Sequence, residues 1–216
     1  NSRQQVSIFR CRAFLFFRFH LRPFPDFLIF KRPTVEQDCF PRLPSPRMPK
    51  VYCTSFDSKI GHIYIASTDN GVCKISIPKE SKKDFFDWLS DHFDDDDVVE
   101  NKSRNKEAID QLNRYFNGKL AKFSAQVDQI GTTFQLRVWK ELMRIPYGTT
   151  ITYKQLARRV GVPRGFRAVG TANGGNPLPI VVPCHRVVGH DGSLGGYSAG
   201  VKTKEFLLRL EGAIIL

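Results

Sequence analysis

Hydrophobic and polar residues alternate along the chain from Val51 onward, which is the pattern of strands with one buried face. The alternation runs through the segments VYCTSF, IGHIYIAST and VCKISI, and a turn-like DNG at 69–71 separates the last two. Short alternating runs joined by such turns predict antiparallel strands connected by hairpins. The folded region is therefore predicted to begin with a small antiparallel sheet.

The spacing of apolar residues becomes helical after this sheet. Two helices are predicted over 81–92 and 104–116, with an acidic, solvated loop at 94–97 between them. A third helix is predicted before Pro146, which ends it because proline cannot continue a helix. Its apolar stripe, expected to be core, consists of Phe134, Val138, Leu142 and Ile145.

Two more helical segments, 152–160 and 164–173, are separated by a short break at 161–163. Such a pair is a helix-turn-helix candidate, although a plain helical hairpin has the same pattern. The fold class predicted is α/β. It comprises a small amino-terminal domain with an antiparallel sheet and helices, residues 49–128, and a mostly helical carboxy-terminal domain with the helix-turn-helix, residues 129–216.

Residues 1–48 differ in composition from the rest of the chain. They are rich in Phe, Arg and Pro, lack steady periodicity, and carry nine Lys and Arg against three acidic residues. We interpret them as an unstructured or extraneous tail. Three origins stay open: an Arg-rich organelle transit segment, translated sequence upstream of a start at Met48, or a disordered arm.

The net charge of +12 favours an anionic partner, such as nucleic acid or an acidic membrane surface. About half of this excess lies in the tail, so the folded part is only moderately basic. The five cysteines form no CxxC pair, which argues against a disulfide scaffold or a zinc module and favours a reducing compartment. No apolar run approaches the length of a membrane span, so no membrane is expected as a partner.

Cys184 is the candidate nucleophile, because an apolar run places it on a rigid turn between Pro183 and His185. Neighbouring residues of an extended segment point to opposite sides, so a water or a rearrangement is expected to connect His185 with the thiol. A partly protonated His185 and Arg186 are expected to depress the pKa of the Cys184 thiol. A lone cysteine is also commonly a buried small hydrophobe.

Several motifs together closely resemble the O6-alkylguanine-DNA alkyltransferase family. They are PCHRV at 183–187, Tyr153, RAVG at 167–170, GNP at 175–177 and KEFLLRLEG at 204–212. The resemblance covers 134–212 almost without gaps, extends more loosely over 51–123, and excludes 1–48. It implies a ribonuclease H-like amino-terminal domain.

The resemblance implies irreversible, single-turnover transfer of an alkyl group from O6-alkylguanine in duplex DNA, and also from O4-alkylthymine, to Cys184. By similarity, Glu211, His185 and a bound water form the relay that removes the thiol proton. Tyr153 resembles the tyrosine that hydrogen-bonds a ring nitrogen of the flipped guanine. Backbone groups near two further residues are implied to hold its polar edge, namely Val187 and Ser198.

A target atom inside the base stack is inaccessible, so the nucleotide must be extruded. Arg167 resembles the arginine finger that fills the vacated space, and small residues such as Ala168 let the helix lie close to the minor groove. Lys154 and Arg164 are expected to contact phosphates, which gives affinity with little sequence preference. Asn176 matches the asparagine that ties the helix-turn-helix to the active-site segment.

The chain departs from the family pattern at Phe166, where a small residue is expected beside the finger arginine, and this alters the fit to the groove. A structural zinc occurs in some members, but four candidate ligands do not clearly match its positions: Cys53, His62, Cys73 and His92. We expect no metal, no cofactor and a monomer. We expect a nuclear location in a eukaryote, with cytoplasm and mitochondrion open.

Two other functions compete with alkyl transfer. A non-catalytic damage sensor would bind alkylguanine without reacting, but the acceptor cysteine, histidine, tyrosine and terminal glutamate are all present. A transcription regulator with an incidental cysteine would need base-reading side chains on the second helix. Gly165, Ala168 and Gly170 are poor readers.

Overall fold

The computed structural model describes residues 49–213. The predicted tail, 1–48, lies outside the described residues, as do 214–216. Within 49–213, no helix has both the length and the apolar character needed to cross a membrane.

A four-stranded sheet forms the amino-terminal half. Strands β1 (Val51–Ser58), β2 (Gly61–Thr68) and β3 (Gly71–Ile75) are antiparallel neighbours, as the alternating pattern predicted. The expectation of a purely antiparallel sheet is wrong at one edge, where β4 (Val98–Glu100) pairs with β1 in parallel. The strand order is β3-β2-β1-β4. A three-residue strand is too short to produce a recognisable alternation.

Two helices cover this sheet. Helix α1 (Lys82–Ser90) buries Phe85 and Leu89 in a cluster with strand residues such as Cys73. Helix α2 (Lys106–Phe116) buries Leu112 and Tyr115 in the larger core, to which the alternate strand residues contribute. Successive strand residues point to opposite faces, so the sheet contributes to both clusters.

The carboxy-terminal half is mainly helical. Its elements are α3 (Thr133–Leu142), β5 (Ile151–Thr152), α4 (Tyr153–Arg159), α5 (Phe166–Gly174), β6 (Val187–Val188) and α6 (Val201–Leu210). Helices α4 and α5 form the predicted helix-turn-helix. The stripe expected on α3 is buried at Val138, Leu142 and Ile145, whereas Phe134 is only half-buried.

Three connections place the active-site segment. The end of β3 is joined to it by the Ile75 amide, which donates to the Pro177 carbonyl at 2.9 Å. Strands β5 and β6 pair in parallel, which joins the residue before α4 to the residues just after Cys184. Tyr115 of α2 donates to Glu211 after α6 at 2.7 Å. Both halves of the fold therefore contribute to one site.

Candidate active site

Cys184 begins a single 3-10 turn, Cys184–Arg186, that is completely buried. The Cys184 amide donates to the Val182 carbonyl at 2.8 Å, and the Arg186 amide donates to the Pro183 carbonyl at 3.1 Å. The premise of an extended segment at Cys184 and His185 is therefore wrong. The turn itself, which the Pro183 context indicated, is present.

The segment before Cys184 contains a strained residue, Ile180, with φ 77°. This region is unfavourable for a β-branched residue and costs about 1–3 kcal/mol unless neighbouring contacts impose it. Those contacts come from Asn176, whose Nδ2 donates to the Val182 carbonyl at 2.9 Å and whose Oδ1 accepts from the Leu178 amide at 3.0 Å. Asn176 thus fixes the path of the chain into Cys184.

His185 is oriented by Glu211, with 2.9 Å between Nε2 and Oε1. A carboxylate only accepts hydrogen bonds, so Nε2 carries the hydrogen and Nδ1 presents a lone pair. Nδ1 is buried and hydrogen-bonds to no residue within 49–213. Burial lowers the pKa of His185, and Glu211 opposes this effect only in part. The ring is therefore neutral at pH 7, with a basic nitrogen available.

Glu211 is buried and accepts hydrogen bonds from several directions. Arg186 donates through Nε to Oε2 at 2.8 Å and through Nη2 to Oε1 at 2.9 Å. The Tyr115 hydroxyl and the Gly148 amide also donate to this carboxylate. Burial alone would raise the pKa of Glu211, but the bonds from His185 and Arg186 lower it to about 2. The carboxylate is therefore ionised.

The end of α6 determines where Glu211 lies. Gly212 has φ 70° and donates to the Arg209 carbonyl at 3.0 Å, which closes the helix directly after Glu211. On the opposite side, a Cβ at Gly148 would lie 2.9 Å from the Glu211 carbonyl oxygen. Glycine at 148 therefore allows the backbone to approach closely enough for its amide to reach the carboxylate.

Burial raises the pKa of the Cys184 thiol. The Asn176 amide, the Tyr197 hydroxyl and the positive charge of Lys204 act in the opposite direction without cancelling it. The resting sulfur is therefore a protonated thiol at neutral pH. It needs a base before it can act as a nucleophile.

The expectation that His185 and Arg186 depress the pKa of the Cys184 thiol is wrong. His185 is neutral, and the Arg186 guanidinium is paired with Glu211 instead of the sulfur. Its third contact, from Nη1, goes to the Ile145 carbonyl at 2.6 Å. Arg186 holds the carboxylate in place and leaves activation of the sulfur to other groups.

Lys204 is a site residue that the sequence pattern did not reveal. It is fully buried on α6, and its Nζ donates to the carbonyls of Val187 and Leu194, both at 2.5 Å. Burial lowers its pKa to about 8. These bonds hold the loop after β6 against the residues that follow Cys184. Tyr115, which reaches Glu211 from α2, was missed as well.

Tyr153 begins α4 directly after Thr152, which caps that helix. Its ring lies between two glycines, since a Cβ at Gly170 or Gly195 would lie 3.7–3.8 Å from it. Burial raises the pKa of Tyr153, and the neighbouring Cys184 contributes to that rise. The hydroxyl is therefore a protonated hydrogen-bond donor close to the sulfur.

Most of the predicted DNA-contacting residues are exposed, and one is buried. Four are exposed on the helix-turn-helix: Lys154, Arg164, Arg167 and Ala168. Ser198 is exposed in the loop before α6, whereas Val187 is buried and its carbonyl accepts from Lys204. Within the described residues, none of these cationic side chains forms an ion pair.

The four candidate zinc ligands are not gathered into a site. Across 49–213, no group of three or more His, Cys, Asp or Glu side chains is arranged to hold a metal ion. His62 pairs with Asp57 at 2.7 Å, and the Cys73 thiol donates to the Ala66 carbonyl. The absence of a metal stays a prediction.

The site combines a buried cysteine with a neutral histidine that an ionised carboxylate holds, and a cationic helix-turn-helix adjoins it. These features define a class of DNA-acting protein with a nucleophilic cysteine. Residues 51–129 match the ribonuclease-like domain of 6-O-methylguanine DNA methyltransferase, and residues 133–213 match its DNA-binding domain. Together these matches span most of the chain. The chain belongs to the 6-O-methylguanine DNA methyltransferase family.

Individual relatives agree with this assignment. The methylated-DNA–protein-cysteine methyltransferase of Methanosarcina barkeri is 44% identical over 163 residues, which cover 74% of this chain and 97% of that protein. The Mycobacterium tuberculosis protein of the same name is 54% identical over 104 residues, covering 48% of this chain and 63% of that protein.

Solved structures are similar as well. The crystal structure of Mycobacterium tuberculosis OGT in complex with DNA has a TM-score of 0.66 and 38% identity, covering 75% of this chain and 93% of that one. The O6-methylguanine-DNA methyltransferase of Pyrococcus kodakaraensis has a TM-score of 0.55 and 30% identity, covering 75% of this chain and 99% of that one.

Proposed function

We propose that this chain repairs O6-alkylguanine in duplex DNA by transferring the alkyl group irreversibly to the sulfur of Cys184. The observation that carries this proposal is the buried turn in which Cys184 precedes His185, whose ring is held by the ionised Glu211. The reaction is supported by the relatives, which are methylated-DNA–protein-cysteine methyltransferases. The mycobacterial structure in complex with DNA supports the partner.

The first step removes the thiol proton. His185 Nδ1 has a free lone pair, and it accepts this proton through a bridging water. Glu211 then stabilises the imidazolium that forms, because it is already ionised and lies 2.9 Å from Nε2. Arg186 and Tyr115 keep the carboxylate in place, so this step requires little reorganisation.

The second step is an in-line displacement at the alkyl carbon. The S–C bond forms as the C–O6 bond breaks, and the bonding electron pair passes to the guanine. Tyr153 donates a hydrogen bond to a ring nitrogen and so offsets the growing negative charge, while backbone groups near Val187 and Ser198 hold the polar edge of the base. The thioether product on Cys184 has no good leaving group at neutral pH, so each molecule acts once.

Access to the lesion requires extrusion of the nucleotide. Arg167 enters the space that the base vacates, and Ala168 lets α5 lie close to the minor groove. Lys154 and Arg164 contact phosphates, which carry no sequence information. The protein therefore binds DNA with little sequence preference. We propose further that it acts as a monomer, that it also accepts O4-alkylthymine, and that it works in the nucleus if its host is a eukaryote.

The decisive experiment incubates the full chain with duplex DNA containing O6-methylguanine and measures the masses of the proteolytic peptides. One added methyl group on the Cys184 peptide is expected, with turnover ending at one per molecule. Cys184→Ser should bind the lesion duplex and transfer nothing, whereas Cys53→Ser, a buried cysteine outside the site, should still react. Tight binding by a chain whose Cys184 stays unmodified would refute transfer and identify a damage sensor.

A further inference from the structure

Phe166 is a large hydrophobic side chain that the proposed chemistry does not use. It begins α5, immediately before Arg167, and 40% of its surface is exposed. Few large hydrophobic side chains between 49 and 213 are so exposed, and the others are Val99, Met143, Val201 and Phe206. A single exposed ring is common on protein surfaces, so the surroundings of Phe166 decide whether a partner covers it.

The surroundings of Phe166 join it to the site. It lines a cavity of about 400 Å³ together with Tyr153, Lys154, Gly170, Gly189 and His190. Tyr153, whose pKa is raised in part by Cys184, lines this cavity as well. The exposed ring therefore adjoins Tyr153 on the face that the duplex contacts in the proposed function.

Charge identifies the partner that covers this ring. The sequence contains no Asp or Glu between Glu141 and Asp191, yet this stretch includes seven Lys and Arg residues. Three exposed cations lie beside Phe166 in sequence or across the cavity: Lys154, Arg164 and Arg167. An apolar protein surface would leave these charges without counter-ions, whereas DNA supplies phosphates for the cations and π-faces for the ring.

We propose that the Phe166 ring stacks on one of the two bases that flank the extruded nucleotide. Arg167 then fills the position that the extruded nucleotide vacates, while Phe166 covers the exposed face of the adjoining base. One polar and one apolar side chain therefore support the opened base stack. This assignment rests on the proposed function, because it requires a nucleotide to be flipped. It assigns Phe166 a positioning role for duplex substrates and no contact with the reacting atoms.

The test compares the wild type with Phe166→Ala and Phe166→Trp on two substrates, a duplex containing O6-methylguanine and the free base O6-benzylguanine. Stacking on one base corresponds to about a 5- to 150-fold effect on affinity. We expect Phe166→Ala to weaken binding to the lesion duplex by a factor in this range and to leave the rate with the free base unchanged. Phe166→Trp keeps an aromatic ring and should bind the lesion duplex as the wild type does. Phe206→Ala, which removes another exposed ring on α6, should have no effect.

A second set of duplexes identifies the stacked base. The base 5′ or 3′ to the lesion is replaced by an abasic analogue, and affinities are combined in a double-mutant cycle with Phe166→Ala. The difference between wild type and variant should vanish for one of the two duplexes. Persistence of the full difference with both, equal binding by wild type and Phe166→Ala, or an equal loss on the free base would overturn the stacking role. Failure of the wild type to methylate Cys184 would instead refute the proposed function.

Discussion

The ion pair between Glu211 and Arg186 gives the sharpest test of how this site is held together. Glu211→Gln keeps the size of the side chain but removes the charge, so the buried Arg186 loses its only bidentate partner within the described residues. Removing one member of a buried pair costs about 3–5 kcal/mol, because the other charge remains desolvated. For a chain of this length, this corresponds to a fall in Tm of about 6–20 °C.

The measurement is thermal unfolding followed by circular dichroism, together with the single-turnover rate on O6-benzylguanine. Glu205→Gln is the matched control, since Glu205 lies on α6 and pairs with Arg209 at the exposed surface. Such exposed pairs contribute about 0.2–1 kcal/mol, so its Tm should move by only a few degrees. The rate should fall only for Glu211→Gln, because the negative charge that stabilises the His185 imidazolium is lost. Equal Tm values for the two variants would refute the buried-pair argument.

Four further outcomes are expected. The stability that Glu211 contributes should be fully present above its ordinary pKa of 4.5 and should be lost as pH falls toward 2, since its pKa in the folded protein is about 2. Acid unfolding of the wild type and of Glu211→Gln measures this contribution. Parallel curves of stability against pH for the two proteins would contradict it. Lys204→Met should slow the reaction with O6-benzylguanine at pH 7 and move the rise of the pH–rate profile to higher pH, because a cation that favours the Cys184 thiolate is removed. An unchanged pH–rate profile would mean that Lys204 has only a structural role. Arg167→Ala should slow repair of the lesion duplex far more than reaction with the free base, and equal losses would contradict the finger role. Deletion of residues 1–47 should leave the single-turnover rate unchanged, and an inactive truncation would mean that the tail belongs to the fold.

The sequence predicted most of the elements around the site, since these depend on local patterns. Alternation located β1 to β3, and apolar spacing located α1 to α5 within a few residues. The nucleophile was predictable from the PCHRV segment, because its neighbours are neighbours in sequence. The parallel strand β4 was missed because three residues carry too little pattern to be recognised.

The groups that support the nucleophile were harder to predict. Tyr115 and Glu211 are 96 residues apart in sequence, and no local signal indicates that their side chains meet. Lys204 lies in a segment that resembles an exposed, charged helix face, and lysine is rarely buried. The effect of Arg186 was misjudged for a related reason: its closeness to Cys184 in sequence suggested that its charge acts on the sulfur, whereas it pairs with the distant Glu211. Long-range pairing, not local propensity, decides these positions.

The 96-residue separation between Tyr115 and Glu211 also has a kinetic consequence. Contacts this distant in sequence form only after much of the chain between them has been ordered, because loop closure must precede them. Until they form, the carboxylate cannot orient His185, and the cysteine behaves as an ordinary thiol. The His185-assisted activation of the sulfur is therefore available only once the end of α6 has docked against α2.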